Sequence, residues 1–258
     1  RQAQLLTALE QPAEPASTFS LTAPFGADQS KSQYAAAFER IQQYIHAGDC
    51  YQINLAQRFS ATFSGDPLEA YTRLRERSPT PFSAYLEVPG GALLSLSPER
   101  FIEVREGRVE TRPIKGTRPR GQSADEDHAL AQELLDCNKD RAENLMIVDL
   151  LRNDLGRSCK PGSIRVPELF SLESYPNVHH LVSSVTGQLR DDCDAIDLLM
   201  RAFPGGSITG APKIRAMQII EELEPVRRSL YCGSVGYLGC EGQMDFNIAI
   251  RSLICHGQ

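Results

Sequence analysis

After Ser30, Tyr34, Phe38, Ile41 and Ile45 recur at helical spacing with polar residues between them, which predicts an amphipathic helix. Ser30 and Gln33 form a capping-box pair at its start, and Gly48 stands just past its end. The period then shortens. Tyr51, Ile53, Leu55 and Phe59 alternate with Gln52, Asn54 and Ala56, as in a half-buried strand. A short helix is expected around Leu68 to Leu74. Beyond it, Ser83 to Val88, Ala92 to Leu96, Phe101 to Arg105 and Arg108 to Arg112 read as strands. Pro89-Gly90-Gly91, Ser97-Pro98 and Glu106-Gly107 join them into an antiparallel meander. A helical block runs from Ala124 to about Leu155, then strands near Ile164 to Phe170 and His179 to Leu189. Helices at Ala195 to Ala202 and Pro212 to Leu223 and strands through Val235 and Ile248 complete the pattern. Strands in runs, with helices between the runs, argue for an α+β layered fold and against a doubly wound parallel sheet. Residues 1–10 suit a short helix and residues 11–18 have the Pro/Ala/Ser bias of a linker, so the compact unit is expected over 19–258.

Composition narrows the function classes. At 258 residues, 41% of them hydrophobic, the chain can bury a core without disulfides or a structural metal. Its 27 Lys and Arg against 33 Asp and Glu give a formal charge of −6, and the basic residues form no stripe, so nucleic acid is not an expected partner. The seven cysteines are odd in number and contain no C-x-x-C pair, which reads as free thiols in a reducing cytoplasm. Charges interrupt every long apolar run and no charged-then-apolar leader is present, so neither a membrane nor export is expected. An N-terminal arginine and a strand-like ending at Ile254-Cys255-His256-Gly257-Gln258 suggest a fragment.

Four groups of residues could carry chemistry. The stretch Phe203-Pro204-Gly205-Gly206-Ser207-Ile208-Thr209-Gly210-Ala211-Pro212-Lys213 opens a helix with an apolar face at Ile214, Met217, Ile220 and Leu223. Free N–H groups there favour an anion. Gly205-x4-Gly210 is followed by Ala211 and not by lysine, so a triphosphate loop fails on spacing and a carboxylate is the better fit, against the alternative of a plain tight turn. Asp140 and Glu143 share one helical face, suited either to a hard divalent cation or to a solvated ion-pair surface. His179 and His180, adjacent in a strand, point to opposite sides, so one of them is expected to face a cleft. Glu99 and Lys115 lie at the far ends of a hairpin, which brings them together either as an ordinary ion pair or as a proton donor beside a desolvated amine nucleophile.

Six motifs in order, Gly48-Asp49-Cys50-Tyr51-Gln52-Ile53-Asn54-Leu55, Leu96-Ser97-Pro98-Glu99-Arg100-Phe101, Arg112-Pro113-Ile114-Lys115-Gly116-Thr117, Lys139 through Leu150, Val178-His179-His180-Leu181-Val182-Ser183 and Gly205 through Lys213, resemble the chorismate-utilising enzymes from about Phe19 onward. The resemblance implies a two-domain α/β sandwich with antiparallel sheets inside and helices outside, truncated here at both ends. Lys115 and Gln52 are similar to the C4-aminating branch, aminodeoxychorismate synthase component I. Anthranilate and isochorismate synthases typically have alanine at the first position, and isochorismate- and salicylate-type members carry a general-base lysine at the second.

The resemblance also implies roles. Glu143 would hold Mg²⁺ against the ring carboxylate of chorismate, with Asp140 nearby, and Glu99 would protonate the departing C4 hydroxyl. Lys115 would attack C2, and ammonia would then displace it by attack at C4, near His180. Tyr231 and Arg251 would grip the enolpyruvyl carboxylate, while Ile208, Thr209 and Gly210 would line the ring. No G-x-C-x-G elbow is present, so ammonia would come from a glutamine amidotransferase subunit or from solution. The family's C-terminal Gly-rich turn, its second Mg²⁺ glutamate and an N-terminal stretch have no counterpart in this chain. The competing readings are anthranilate synthase component I and a chorismate-binding module without turnover; a Schiff-base lysine enzyme draws no support from the motifs.

Overall fold

The computed structural model describes residues 17–257. The expected helix over 1–10 and most of the linker lie outside the described residues. Helix α1 (Lys31–His46) begins with the predicted capping box: the Ser30 hydroxyl accepts from the Gln33 N–H, and Gln33 Oε1 accepts from the Ser30 N–H at 2.8 Å. Its buried side carries Ala37 and Ile41, with Phe38 half exposed, and Ile41 packs with Cys50 and Ile219. Helix α2 (Pro67–Arg77) is capped by the Asp66 carboxylate and starts with proline, whose missing N–H costs nothing in a first turn.

Two antiparallel sheets follow. The first joins β1 (Phe82–Val88), β2 (Gly91–Ser97) and β10 (Ser252–His256) in the order β10-β2-β1. The second contains β3 (Arg100–Arg105), β4 (Arg108–Arg112), β5 (Ile114–Pro119), β6 (Arg165–Ser174), β7 (Val178–Gln188), β8 (Gly236–Leu238) and β9 (Met244–Asn247). Its order is β5-β7-β4-β3-β9-β8, with β6 on the free edge of β7. Strands β4 and β5 lie end to end along one side of β7, divided at Pro113, whose carbonyl accepts the Ser183 N–H at 3.2 Å.

The expected four-strand meander is therefore divided between two sheets. Ser97-Pro98 crosses from one to the other, and Ser97 Oγ donates to the Ile248 carbonyl at 2.6 Å, which pins the crossing beside Glu99. Alternation alone cannot distinguish a hairpin from a crossing of this kind. The strand expected over Tyr51 to Phe59 shrinks to Gln52–Ile53, paired with Gly210–Ala211, and Phe59–Ser60, paired with Gly26–Ala27. Tyr51 is 74% exposed and Phe59 56%, so no continuous buried face drives a longer ladder.

The helical block resolves into α3 (Ala124–Asp136) and α4 (Asn138–Gly156), followed by α5 (Ala195–Ala202) and α6 (Lys213–Leu223). Ile147, Val148, Leu151 and Leu155 of α4 and Leu198 of α5 pack on Phe101, Val104, Val109 and Val185 of the large sheet. Asn144 is fully buried in that contact: its Oδ1 accepts from Ser183 Oγ at 2.6 Å and its Nδ2 donates to the Leu181 carbonyl. These bonds lock α4 onto β7 in one register and aim the preceding helical turn at β5. All seven cysteines are free, and no helix among the described residues is long and apolar enough to cross a membrane.

Candidate active site

Lys115 is the second residue of β5, at a break in the pairing with β7 between Ile114 and Thr117. Such a bulge re-aims a side chain out of the regular alternation. Gly116 follows with φ +86°, and a Cβ there would meet the Cβ of Asp140 at 3.0 Å. Glycine thus lets α4 approach the strand. As a result Lys115 Nζ donates to the Ser207 carbonyl at 3.2 Å and lies 3.9 Å from Glu143 Oε1, its side chain only 15% exposed.

Glu99, on the Ser97-Pro98 crossing, is buried, and burial pushes its carboxyl pKa up, with the charge of the neighbouring Lys115 opposing the shift. The Ser207 side chain stands beside it but makes no well-formed hydrogen bond. Gln52 Nε2 donates to Glu143 Oε1 at 2.9 Å, whereas Gln52 Oε1 is buried without a partner. Unsatisfied buried polar atoms are uncommon, and two of them, Gln52 Oε1 and Ser207 Oγ, fall in this cluster. The predicted pair Glu99 and Lys115 therefore converges, and Glu143, Gln52 and Ser207 join it.

Asp140 and Glu143 do share a helical face, but they meet different partners. Asp140 Oδ2 is 3.2 Å from Arg118 Nη1, while Glu143 faces Lys115 and Gln52. No cluster of three His, Cys, Asp or Glu able to hold a metal occurs among the described residues. The Glu143 carboxylate and the unpartnered Gln52 amide oxygen are nevertheless hard oxygen donors of the kind Mg²⁺ takes, one or two from protein and the rest from substrate and water.

The two histidines separate as expected. His179 Nε2 pairs with Asp127 at 3.0 Å and its Nδ1 with Ser174 Oγ at 2.7 Å, a structural arrangement against α3. Asp127 is held well below the usual carboxylate range by Arg120 and by the Gly121 N–H. His180 lies beside β5, with Nδ1 2.9 Å from Thr117 Oγ1 and its ring edge-on to Tyr175. Burial, then the charge of Arg251, lowers its pKa and favours the neutral imidazole.

The glycine-rich stretch, expected either to favour a carboxylate or to be a plain tight turn, folds as a turn followed by a short strand pair. Gly206–Ile208 forms one 3₁₀ turn and Gly210–Ala211 pairs with Gln52–Ile53. Gly210 has φ +151°, and any Cβ there would run into the Gln52 carbonyl oxygen. The Thr209 hydroxyl donates to the Gly205 carbonyl at 3.0 Å. At the start of α6, Lys213 Nζ bonds Asp154 Oδ2 at 2.6 Å and the Ala202 carbonyl at 2.7 Å. This pair joins α6 to α4.

Tyr231 and Arg251 line a cavity of about 930 Å³ whose walls do not include Lys115, Glu99 or Glu143. Ile208, Thr209 and Tyr231 border a second of about 510 Å³. Burial pushes the Tyr231 hydroxyl up to about 12. The charge of Arg251 reaches His180. Sequence reasoning missed Ser207 and Asn144, whose roles come from contacts across the fold, and the pair Glu224 and Arg228, whose four-residue spacing was the available signal.

The model of the chorismate binding enzyme family matches residues 1–258. The chain is 56% identical over 252 residues to aminodeoxychorismate synthase component 1 of Klebsiella aerogenes, covering 98% of this chain and 56% of that protein. Anthranilate synthase component 1 of Aquifex aeolicus is 47% identical over 225 residues, 87% of this chain and 46% of that one. The crystal structure of anthranilate synthase component I from Streptococcus pneumoniae superposes with a TM-score of 0.87 at 37% identity, over 98% of this chain and 56% of that one. The chain spans about half the length of the curated relatives it matches. With the motifs, the layered fold and a family match along its whole length in agreement, the chain belongs to the chorismate binding enzyme family.

Proposed function

We propose that this chain is the chorismate-handling part of an aminodeoxychorismate synthase, a transferase that replaces the C4 hydroxyl of chorismate with an amino group on the route to 4-aminobenzoate and folate. One observation carries the reading: Lys115 reaches into a buried cluster with a raised-pKa carboxylic acid, Glu99, on one side and Glu143 on the other. Glu99, protonated because it is buried, gives its proton to the departing C4 hydroxyl, which leaves as water. The Lys115 amine, once deprotonated, bonds to C2 as that C–O bond breaks. Ammonia then bonds to C4 as the neutral amine leaves C2, and the ammonium formed at C4 loses a proton that restores Glu99, so the net change is exchange of hydroxyl for amine with release of water.

His180, neutral through burial, stands near the C4 side. Ile208, Thr209 and Gly210 flank the ring, and Arg251 with Tyr231 takes the enolpyruvyl carboxylate, a task suited to guanidinium. Glu143, with the Gln52 amide oxygen and with Asp140 behind it, would hold Mg²⁺. Bound there, the ion supplies Lewis-acid polarisation of the ring carboxylate. The component 1 name of the relatives supports a separate partner component, which we assign as a glutamine amidotransferase supplying ammonia, with both in the cytoplasm.

Incubating the intact protein with chorismate and Mg²⁺, without ammonia, tests the reading. A trapped adduct on the peptide containing Lys115 is the expected mass-spectrometric result, absent in Lys115→Ala. An unmodified peptide, with undiminished amination by Lys115→Ala, would refute the covalent route. Direct formation of fluorescent anthranilate, in place of a lyase-dependent 4-aminobenzoate signal, would favour the anthranilate-forming alternative.

A further inference from the structure

Arg228 lies in the loop after α6 with its side chain 14% exposed, and all three nitrogens of its guanidinium are engaged. Nε and Nη2 donate to the two oxygens of Glu224 at 2.9 and 2.6 Å. Nη1 donates to the Ile208 carbonyl at 2.7 Å and Nη2 to the Asn54 carbonyl at 2.5 Å. Glu224, its side chain 6% exposed, also accepts the Ala56 N–H at 2.8 Å. The two carbonyls belong to the two segments that build the cluster: Ile208 follows Ser207, and Asn54 is two residues beyond Gln52. These segments are tied to each other as well. The Asn54 N–H donates to the Thr209 carbonyl at 2.9 Å, and Asn54 Nδ2 donates to the Ser207 carbonyl at 3.4 Å, the same oxygen that receives Lys115 Nζ at 3.2 Å.

We infer that Arg228, oriented by Glu224, is a positioning residue that sets the spacing between the Ser207–Gly210 turn and the Gln52 segment, and through the Ser207 carbonyl fixes the Lys115 amine. The inference rests on the proposed function, in which that amine reacts. A guanidinium suits the task because its planar fork meets a carboxylate and two carbonyls at once from one rigid group, which a lysine ammonium on a flexible stem cannot reproduce. Arg228 touches neither Lys115 nor Glu99; it acts through two peptide carbonyls. A misplacement of about 1 Å at a reacting group lowers turnover by up to about a hundredfold, so a loosened turn is expected to be visible in kcat.

The experiment compares Arg228→Lys and Arg228→Ala with the unaltered intact protein. In both variants kcat for ammonia-dependent chorismate consumption, per folded molecule, is expected to fall by about tenfold to a hundredfold, with KM for ammonia little changed. Guanidinium ion at sub-denaturing concentration should restore part of the Arg228→Ala rate, while sodium chloride at equal ionic strength should not. Pulse labelling with acetic anhydride, read on the Lys115 peptide, should be several-fold faster in both variants. Unchanged kcat and unchanged Lys115 labelling, with only a lowered unfolding midpoint, would reduce Arg228 to a structural brace and overturn the inference. If the unaltered protein consumes no chorismate, the functional reading fails by itself. Labelling then decides the positioning role: faster labelling supports it and unchanged labelling overturns it.

Discussion

Glu99 shows how one residue links the site to the stability of the fold. Burial raises its pKa above the ordinary value of 4.5, so the folded chain holds that proton more tightly than the unfolded chain does. The stability this contributes is fully present below 4.5 and is lost as the pH rises through the folded pKa. Glu99→Gln keeps the shape and removes the charge. Denaturant titrations from pH 4 to 8 should therefore show a flatter stability profile and a higher midpoint at neutral pH, while chorismate turnover falls. A variant less stable than the parent at pH 8 would mean that the carboxylate is stabilised in place and not strained. Glu143 makes the contrasting case: Glu143→Gln should leave the unfolding free energy within about 1 kcal/mol, since its side chain is 31% exposed, yet abolish Mg²⁺-dependent turnover. Near-normal rates at limiting Mg²⁺ would remove it from the metal site.

Among the elements, α4 and α6 are joined by the Lys213–Asp154 pair, with side chains 13% and 3% exposed. Burial pushes Asp154 up and Lys213 down, each against the attraction of the other. Such a pair adds little net stability over an apolar contact, but losing one partner strands a buried charge at a cost of about 3–5 kcal/mol. Lys213→Met is expected to show that loss at pH 7 by chemical denaturation, and a smaller one near pH 4, where Asp154 can take up a proton. An equal loss at both values would point to lost packing of the lysine stem. The helix starts were largely legible because capping is local: Ser30 with Gln33 needed no tertiary information. The sheet assignment of β1 to β4 was not, because the crossing at Ser97-Pro98 is fixed by the Ile248 carbonyl about 150 residues away in sequence.

At the scale of the whole molecule, chorismate with Mg²⁺ should raise the unfolding midpoint of the chain, by an amount equivalent to about 2.7 kcal/mol at a hundredfold excess over the dissociation constant. Differential scanning with each ligand alone and with both would test it. Stabilisation without consumption would favour the binding-module reading, and no stabilisation by either would argue against a formed site.

The sequence determined the class of fold and the convergence of Glu99 with Lys115, because periodicity, caps and a hairpin's geometry act over short distances, and its six motifs carried the family resemblance. Tertiary structure alone decided that Asp140 turns to Arg118, that Lys213 pairs with Asp154, and that Arg228 reaches the Ile208 and Asn54 carbonyls. Each of these depends on which distant charge or carbonyl comes within about 3 Å when the sheets and helices pack. Long-range electrostatic and hydrogen-bond choices of that kind are made by the whole arrangement and leave only faint traces in local pattern.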